Sequence, residues 1–208
     1  MPWKEPIAAK EQVIAEKREA ILKEAARSFN RRGYYGTSLD EIAKKLGITK
    51  PALYYYIRDK EDLLFACHQL SLDIAMGAVA KAKAAGGPAR EQLRGVLRDY
   101  IQGLTDELNG CVVLLEEGAL TPPRQKALVQ QRDQYEGALR ELVCKGIEEG
   151  DFVPCDAKLA VFTILGAVNW ISKWYSPKGE RPSEEIGKLM AEQLVRGLEK
   201  TSPGTPIL

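Results

Sequence analysis

Residues 37–57, Thr37-Ser-Leu-Asp-Glu-Ile-Ala-Lys-Lys-Leu-Gly-Ile-Thr-Lys-Pro-Ala-Leu-Tyr-Tyr-Tyr-Ile57, constrain this chain more than any other segment, because they encode two short helices with almost no chain between them. Ser38 can accept from first-turn amides, and Glu41, three residues on, can reach back to the amide of the cap; this reciprocal arrangement opens a helix at about Leu39. Gly47 ends it. Leu39, Ile42, Ala43 and Leu46 recur at steps of three and four and make one apolar stripe, with Asp40, Glu41, Lys44 and Lys45 on the wet side. Thr49 caps a second helix, whose first turn holds Lys50 and Pro51, where a missing amide costs nothing, and the element is expected to run to about Ile57. Only Gly47, Ile48 and Thr49 lie between the two.

A second helix this short is not stable alone and must be held by packing, for which Ile48, Leu53 and Ile57 offer one apolar edge. Its other side carries Thr49, Lys50, Ala52, Tyr54, Tyr55 and Tyr56, a mixture of hydroxyls, a cation and aromatic bodies. Such groups suit phosphate oxygens and base edges in a major groove. Tyrosines on a short helix also serve as half-buried core with solvated hydroxyls. For Tyr56 the two readings balance; for Tyr54 and Tyr55, beside Lys50 and between capped helices, the pattern favours nucleic acid.

The wider segment, residues 16–70, resembles the DNA-binding domain of the TetR family of bacterial transcriptional repressors. The resemblance is carried by Ala25-Ala26-Arg27-Ser28-Phe29-Asn30-Arg31-Arg32-Gly33, by Thr37-Ser38-Leu39-Asp40-Glu41-Ile42-Ala43 and by Leu46-Gly47-Ile48. It continues through Ala52-Leu53-Tyr54-Tyr55-Tyr56-Ile57 to Lys60-Glu61-Asp62-Leu63-Leu64. It implies DNA contacts from Thr37, Lys50, Tyr54, Tyr55 and Lys60, with Thr49 and Ala52 near base edges and Ser38 and Pro51 on the same surface. Ile57 stands where the family usually has Phe, a conservative core change, and Pro51 where a small residue is common.

Composition agrees with a nucleic-acid partner. Within 208 residues, 45% of them hydrophobic, the net charge of +1 conceals an asymmetry. Residues 1–60 hold 13 Lys and Arg against 8 Asp and Glu, a surplus of +5, whereas the rest hold 17 against 21, or −4. The basic end is the end with the paired helices. No run of about 18 apolar residues is seen and the N-terminus lacks a secretory leader, so no membrane partner and a cytoplasmic, nucleoid-associated protein are expected. Cys67, Cys111, Cys144 and Cys155 form no CxxC pair and suggest buried reduced thiols; the single His68 has no neighbours suited to catalysis or metal binding, so no metal and no cofactor are expected. Glu116 and Glu117 are adjacent and point about 100° apart on a helix, which suits solvated charges better than acid–base work.

The organisation is therefore all-α: an N-terminal three-helix helix-turn-helix head and a C-terminal helical bundle for ligand binding and dimerisation. Residues 1–9 are expected to be a flexible start, 10–58 the head, 59–200 the bundle and 201–208 a flexible tail. Helix one has Ile14, Ala20 or Ile21, Ala25 and Phe29 as its packing series and stops at Gly33. Asp59 caps a long helix from Lys60 to about Ala85, closed by Gly86-Gly87-Pro88; this punctuation lacks the following lysine of a phosphate loop. Further helices are expected at 88–108, 111–120, 122–149, 156–175 and 183–200.

Leu159 to Tyr175 is the most apolar stretch and must be covered on more than one side. Part of it is expected to meet a second copy, through Phe162, Leu165, Val168 and Asn169, with Leu189 and Leu194 of the last helix, alongside Ile186, Met190, Val195 and Leu198. The family resemblance implies the same dimer, whose heads would meet half-sites roughly 34–36 Å apart or somewhat more. The run Asn169-Trp170-x-x-x-Trp174-Tyr175-x-Pro177-x-Gly179, then Pro182-Ser183-Glu184-Glu185-Ile186, resembles the branch controlling lipid and aromatic-acid degradation, which implies an acyl-CoA thioester or similar small apolar effector. Trp170, Trp174, Tyr100 and Leu104 are candidate pocket residues, although tryptophans four apart on one face equally suit core or interface packing. The reading is a ligand-responsive repressor of a palindromic operator. A helical adaptor without DNA binding is the rival, and an enzyme is disfavoured because no nucleophile, base or metal ligands cluster.

Overall fold

The computed structural model describes residues 7–108 and 118–200. Cys111, Val112–Leu115, Glu116, Glu117, Trp3, Lys4 and the 201–208 tail lie outside the described residues, so the expected 111–120 helix is represented only by a turn at Gly118 and by buried Ala119 and Leu120. The described residues form eight helices: α1 (Ile7–Arg32), α2 (Leu39–Lys45), α3 (Lys50–Tyr54), α4 (Lys60–Ala85), α5 (Ala89–Leu108), α6 (Pro122–Glu148), α7 (Ala157–Trp174) and α8 (Ser183–Arg196). A single isolated bridge joins Phe152 to Glu199.

Capping residues set most of these bounds. Ser38 accepts from the Asp40 amide, Thr49 from Ala52, Asp59 from Asp62, and Asp156 from Lys158 and Leu159. Pro122 and Pro123 occupy the first turn of α6. α1 begins at Ile7, earlier than the expected boundary at residue 10, and its packing begins later than expected: residues 11–20, including Ile14, are exposed, whereas Ile21, Ala25, Ala26 and Phe29 are buried.

Two helices are shorter than their sequence period. α3 stops at Tyr54 rather than Ile57, because Leu53 and Ile57 are both drawn into the core and the Tyr56 and Ile57 amides share the Leu53 carbonyl at 3.0 and 3.3 Å, which tightens the last turn. α8 stops at Arg196 rather than 200. Beyond Gly197 the chain turns to pair with the α6–α7 connection, the Val153 amide donating to the Leu198 carbonyl at 2.8 Å and the Lys200 amide to the Asp151 carbonyl at 3.3 Å.

α5 runs through the middle of the bundle, with α4, α6 and α8 packed on it. Gly187 lets α8 approach so closely that a Cβ there would stand 2.9 Å from the Arg98 carbonyl oxygen. Arg94 of α5 adds ion pairs to Glu192 and Glu199, each at 2.9 Å. α8 therefore spends Ile186, Gly187, Ala191 and Val195 on its own protomer. α4 is, by length and composition alone, apolar enough to cross a membrane, which the sequence reading did not anticipate; here α1, α5 and α6 pack around it. Of the thiols, Cys67 is buried but Cys144 and Cys155 are exposed, against expectation, because Cys144 lies on the wet side of α6 and Cys155 in the connection to α7.

The ring of Phe152, fully buried, lies against Gly146 of α6, where a Cβ would overlap it. Replacing a helical glycine by alanine ordinarily stabilises by roughly 0.5–1 kcal/mol. Gly146→Ala is expected to reverse that sign and cost about 1–3 kcal/mol through overpacking. Urea unfolding of the two proteins checks it; a variant more stable than the parent would show that Phe152 has room to move.

Candidate nucleic-acid interface and ligand cavity

The head is built around buried Phe29, Leu39, Ile42, Leu53, Ile57 and Leu63, drawn from four helices and the turn after α3. Its polar anchor is Glu24 of α1, a buried carboxylate that accepts from Lys45 of α2 at 2.6 Å, Arg27 at 2.8 Å and Ser28 at 3.3 Å. Sequence reasoning missed it; the only signal was an acid within the buried series of α1. Glu41 pairs with Arg32 instead of closing the capping box on Ser38, so the cap is one-sided.

Held this way, α3 turns Thr49, Lys50, Pro51, Ala52, Tyr54 and Tyr55 outward. Tyr55 is 73% exposed and Tyr54 46%. Tyr56 is half-buried against the core, with the Tyr55 ring edge-on to it at 5.1 Å, which resolves its balanced reading towards packing. Lys50 pairs with Asp40 at 2.8 Å, and that hydrogen bond raises its pKa. Ser38 is half-buried at the edge of this surface.

Two expected contacts face elsewhere. Thr37 is buried and its hydroxyl donates to the Gly33 carbonyl at 2.7 Å. Lys60 donates to the carbonyls of Tyr34 at 2.8 Å and Thr37 at 3.0 Å, with its ammonium 4.4 Å from the centre of the Tyr34 ring. In this arrangement both side chains brace the α1–α2 connection. Lys60 and Thr37 follow the family spacing, but carbonyls of the α1–α2 connection, those of Gly33, Tyr34 and Thr37, claim them first.

A cavity of about 380 Å³ opens between α4, α5, α6 and α7. Its walls include Cys67, His68 and Ser71 of α4, Tyr100 of α5, Leu128, Arg132 and Tyr135 of α6, and Phe162, Leu165 and Asn169 of α7. Of the candidate pocket residues only Tyr100 lines it. Leu104 is packed in the core, and Trp170 and Trp174 are 63% and 48% exposed on the outer side of α7. Phe162, Leu165 and Asn169, expected at a dimer seam, line the cavity, and Val168 is fully buried within the protomer because α7 turns that side to its own bundle. Leu159, Phe162, Trp170 and Trp174 form the exposed apolar stripe of α7, with Leu189 exposed on α8 and Leu194 half-buried. Among the described residues no group of His, Cys, Asp and Glu could hold a metal ion.

Head and bundle are joined by polar contacts between the first turns of α4 and α6. Glu61 accepts from the Thr121 amide at 2.9 Å and hydroxyl at 2.8 Å, and these bonds lower its pKa. Arg124 pairs with Asp62 at 2.8 Å and covers Phe65. Asn30 at the end of α1 donates to the Ser172 carbonyl of α7 at 3.0 Å.

A braced helix-turn-helix with an outward second helix, joined to a helical bundle with a cavity of about 380 Å³ between its helices, is the architecture of a one-component DNA-binding regulator. The description "Bacterial regulatory proteins, tetR family" matches residues 21–67 and "Tetracyclin repressor-like, C-terminal domain" matches 86–198, so the chain belongs to the TetR family of transcriptional regulators, which are not enzymes. It is similar to AibR, solved in complex with isovaleryl coenzyme A and operator DNA, at 32% identity over 88% of this chain and 98% of that one, with a TM-score of 0.70. PfmR from Thermus thermophilus is 30% identical over 86% and 99%, with a TM-score of 0.72. The repressor KstR2 of Mycolicibacterium smegmatis is 24% identical over 191 residues, 90% of this chain and 93% of its own. The chain spans about half the length, 49% and 52%, of two other curated relatives.

Lys60→Ala is expected to cost about 1–3 kcal/mol of stability, because the Thr37 carbonyl loses its donor and the Tyr34 carbonyl keeps only the Thr37 amide. Denaturant unfolding checks it. Unchanged stability together with a shallower salt dependence of DNA binding would return Lys60 to the phosphate-contact list.

His68 supplies a second expectation. Burial, and then the charge of Arg132, lower its pKa to about 4, below the ordinary 6.5. Between those values the unfolded chain takes up a proton that the native one does not, so stability falls as pH drops from 6.5 towards 4. On lowering the pH from 7.5 to 5.0 the parent is expected to lose ~2 kcal/mol more than His68→Gln. Parallel losses in the two proteins would assign the acid sensitivity elsewhere.

Proposed function

We propose that this chain is a homodimeric repressor that places α3 in the major groove of a palindromic operator and is released by a small apolar or acyl-CoA-like effector held in the bundle cavity. The observation that carries the reading is the presence, in one chain, of an outward α3 surface, with Thr49, Lys50, Ala52, Tyr54 and Tyr55, and of a cavity walled by α4, the helix that also gives Leu63 to the core of the head. Thr49 and Ala52 stand near base edges, and Lys50, Tyr54 and Tyr55 touch phosphates or bases.

The exposed stripe of α7 supports the dimer, since Leu159, Trp170 and Trp174 form an apolar face continuous along one helix, and Leu189 adds to it from α8. The seam therefore runs through the two tryptophans, while Val168 belongs to the protomer core. The solved complex of AibR with isovaleryl coenzyme A and operator DNA supports the thioester class, and with DNA as partner the chain works in the cytoplasm.

The effector acts by favouring one arrangement of α6 over another, and the contacts of Thr121 and Arg124 with Glu61 and Asp62 carry that preference to the head. Selection of bound sequences from a random duplex library, repeated with a panel of acyl-CoA thioesters, tests this. A palindrome is expected to be enriched and lost with one thioester. A palindrome indifferent to all of them would remove the effector class and keep the DNA-binding one, whereas no enrichment would favour a helical adaptor.

A further inference from the structure

The cavity holds two polar atoms that the protein leaves unmet. His68 Nε2 and the Tyr135 hydroxyl oxygen are buried with no hydrogen-bond partner among the described residues, on side chains 8% and 4% exposed. Such atoms are rare, because an unmet buried donor or acceptor is costly, and each requires a reason. The neighbouring phenol shows the contrast: Tyr100, whose ring stands edge-on to Tyr135 at 5.3 Å, has its hydroxyl 3.3 Å from that of Ser71.

Charge along the lining is uneven. Both phenols are held protonated by burial, and His68 is neutral at physiological pH. Glu136 is paired with Arg140. Arg132 is the one cation of the lining; it is exposed at the rim and has no ion-pair partner among the described residues. A carboxylate pushed to the floor would lose its water with Arg132 acting only from the exposed rim, whereas a neutral acceptor oxygen would meet two donors there.

We infer that the ligand presents an uncharged carbonyl oxygen to Tyr135 and His68 on the floor of the cavity, with a short chain or single ring against Leu128 and Leu165, and leaves its anionic portion outside at Arg132. This rests on the cavity being the effector site. A carbonyl oxygen has two lone pairs and accepts from the Tyr135 hydroxyl and from His68 in the tautomer protonated at Nε2. A volume of about 380 Å³ lies towards the small end of the roughly 300–1,000 Å³ of ligand pockets, so the phosphorylated nucleoside of a coenzyme A thioester stays beyond the rim and a long acyl chain does not fit.

The test is calorimetric titration of the full chain with butyryl coenzyme A, with its thioether counterpart S-butyl coenzyme A, which lacks only the carbonyl oxygen, and with palmitoyl coenzyme A, alongside operator release. The thioester is expected to bind about tenfold more tightly than the thioether, and Tyr135→Phe, which keeps the ring and the His68 donor and is checked by its melting curve, to cut that ratio to about threefold. Palmitoyl coenzyme A is expected to bind at least about tenfold more weakly than butyryl coenzyme A, and Arg132→Gln to weaken thioester and thioether by the same factor. Binding and release with an unaltered thioester-to-thioether ratio in Tyr135→Phe would overturn this inference and leave the effector reading intact. Equal competition by free butyrate would do the same. Absence of binding by every compound removes the effector reading and the inference with it.

Discussion

Helix α4 is shared by the two halves of the molecule, and each half depends on it for a different face. Its first turn supplies Lys60 to the carbonyls of Tyr34 and Thr37, its second supplies Leu63 and Leu64 to the core of the head, and its third supplies Cys67 and His68 to the wall of the cavity. A five-residue α3 has no stability of its own; it is set by Leu53 and Ile57 packing into that shared core. α3 packs on α2, and α4 adds Leu63 and Leu64 to the core that holds both, so the helix that walls the cavity of the bundle also contributes to the core beneath the outward surface of α3.

Electrostatics divide the basic end of the chain into braces and free charge. Lys45 and Arg27 are held by Glu24, Arg32 by Glu41, and Lys60 by backbone carbonyls. Lys50 is paired only with exposed Asp40, an ion pair that exchanges readily with a phosphate because surface pairs contribute little. Arg31 and Lys44 are exposed and have no ion-pair partner among the described residues. The +5 surplus of residues 1–60 therefore overstates the cations available to DNA, and the distinction is set by which carboxylates the fold brings near.

The head was legible in the sequence because its determinants are local. Ser38, Thr49 and Asp59 cap the helices they were read to cap, and the period of Leu39, Ile42 and Ala43 gave the buried face of α2 directly. Where that reading failed, a tertiary contact had intervened: Ile57 pulled out of a helical period, Glu41 taken by Arg32, Thr37 turned to Gly33. The cavity was illegible for a different reason. Its lining comes from Cys67, Tyr100, Tyr135 and Phe162 on four helices, and nothing in a single sequence distinguishes such residues from core. Trp170 and Trp174 share a face as their spacing required, but that face points away from the bundle.

In the proposed repressor, coupling between cavity and reading surface runs along α4 and α6, and the magnitudes indicate where its energy would arise. The hydrogen bonds of Glu61 with Thr121 lie at the surface, and the partly exposed pair of Asp62 with Arg124 is worth about 1 kcal/mol or less. Moving a regulator from about 1% to 99% of one state takes roughly 5.5 kcal/mol of differential affinity. The junction therefore transmits a preference and does not generate it. The cavity is the place with unmet free energy, in the hydroxyl of Tyr135 and Nε2 of His68, both on helices that reach the junction. A ligand that satisfies them in only one arrangement of α6 gains there, and the weak junction lets the head follow at small cost.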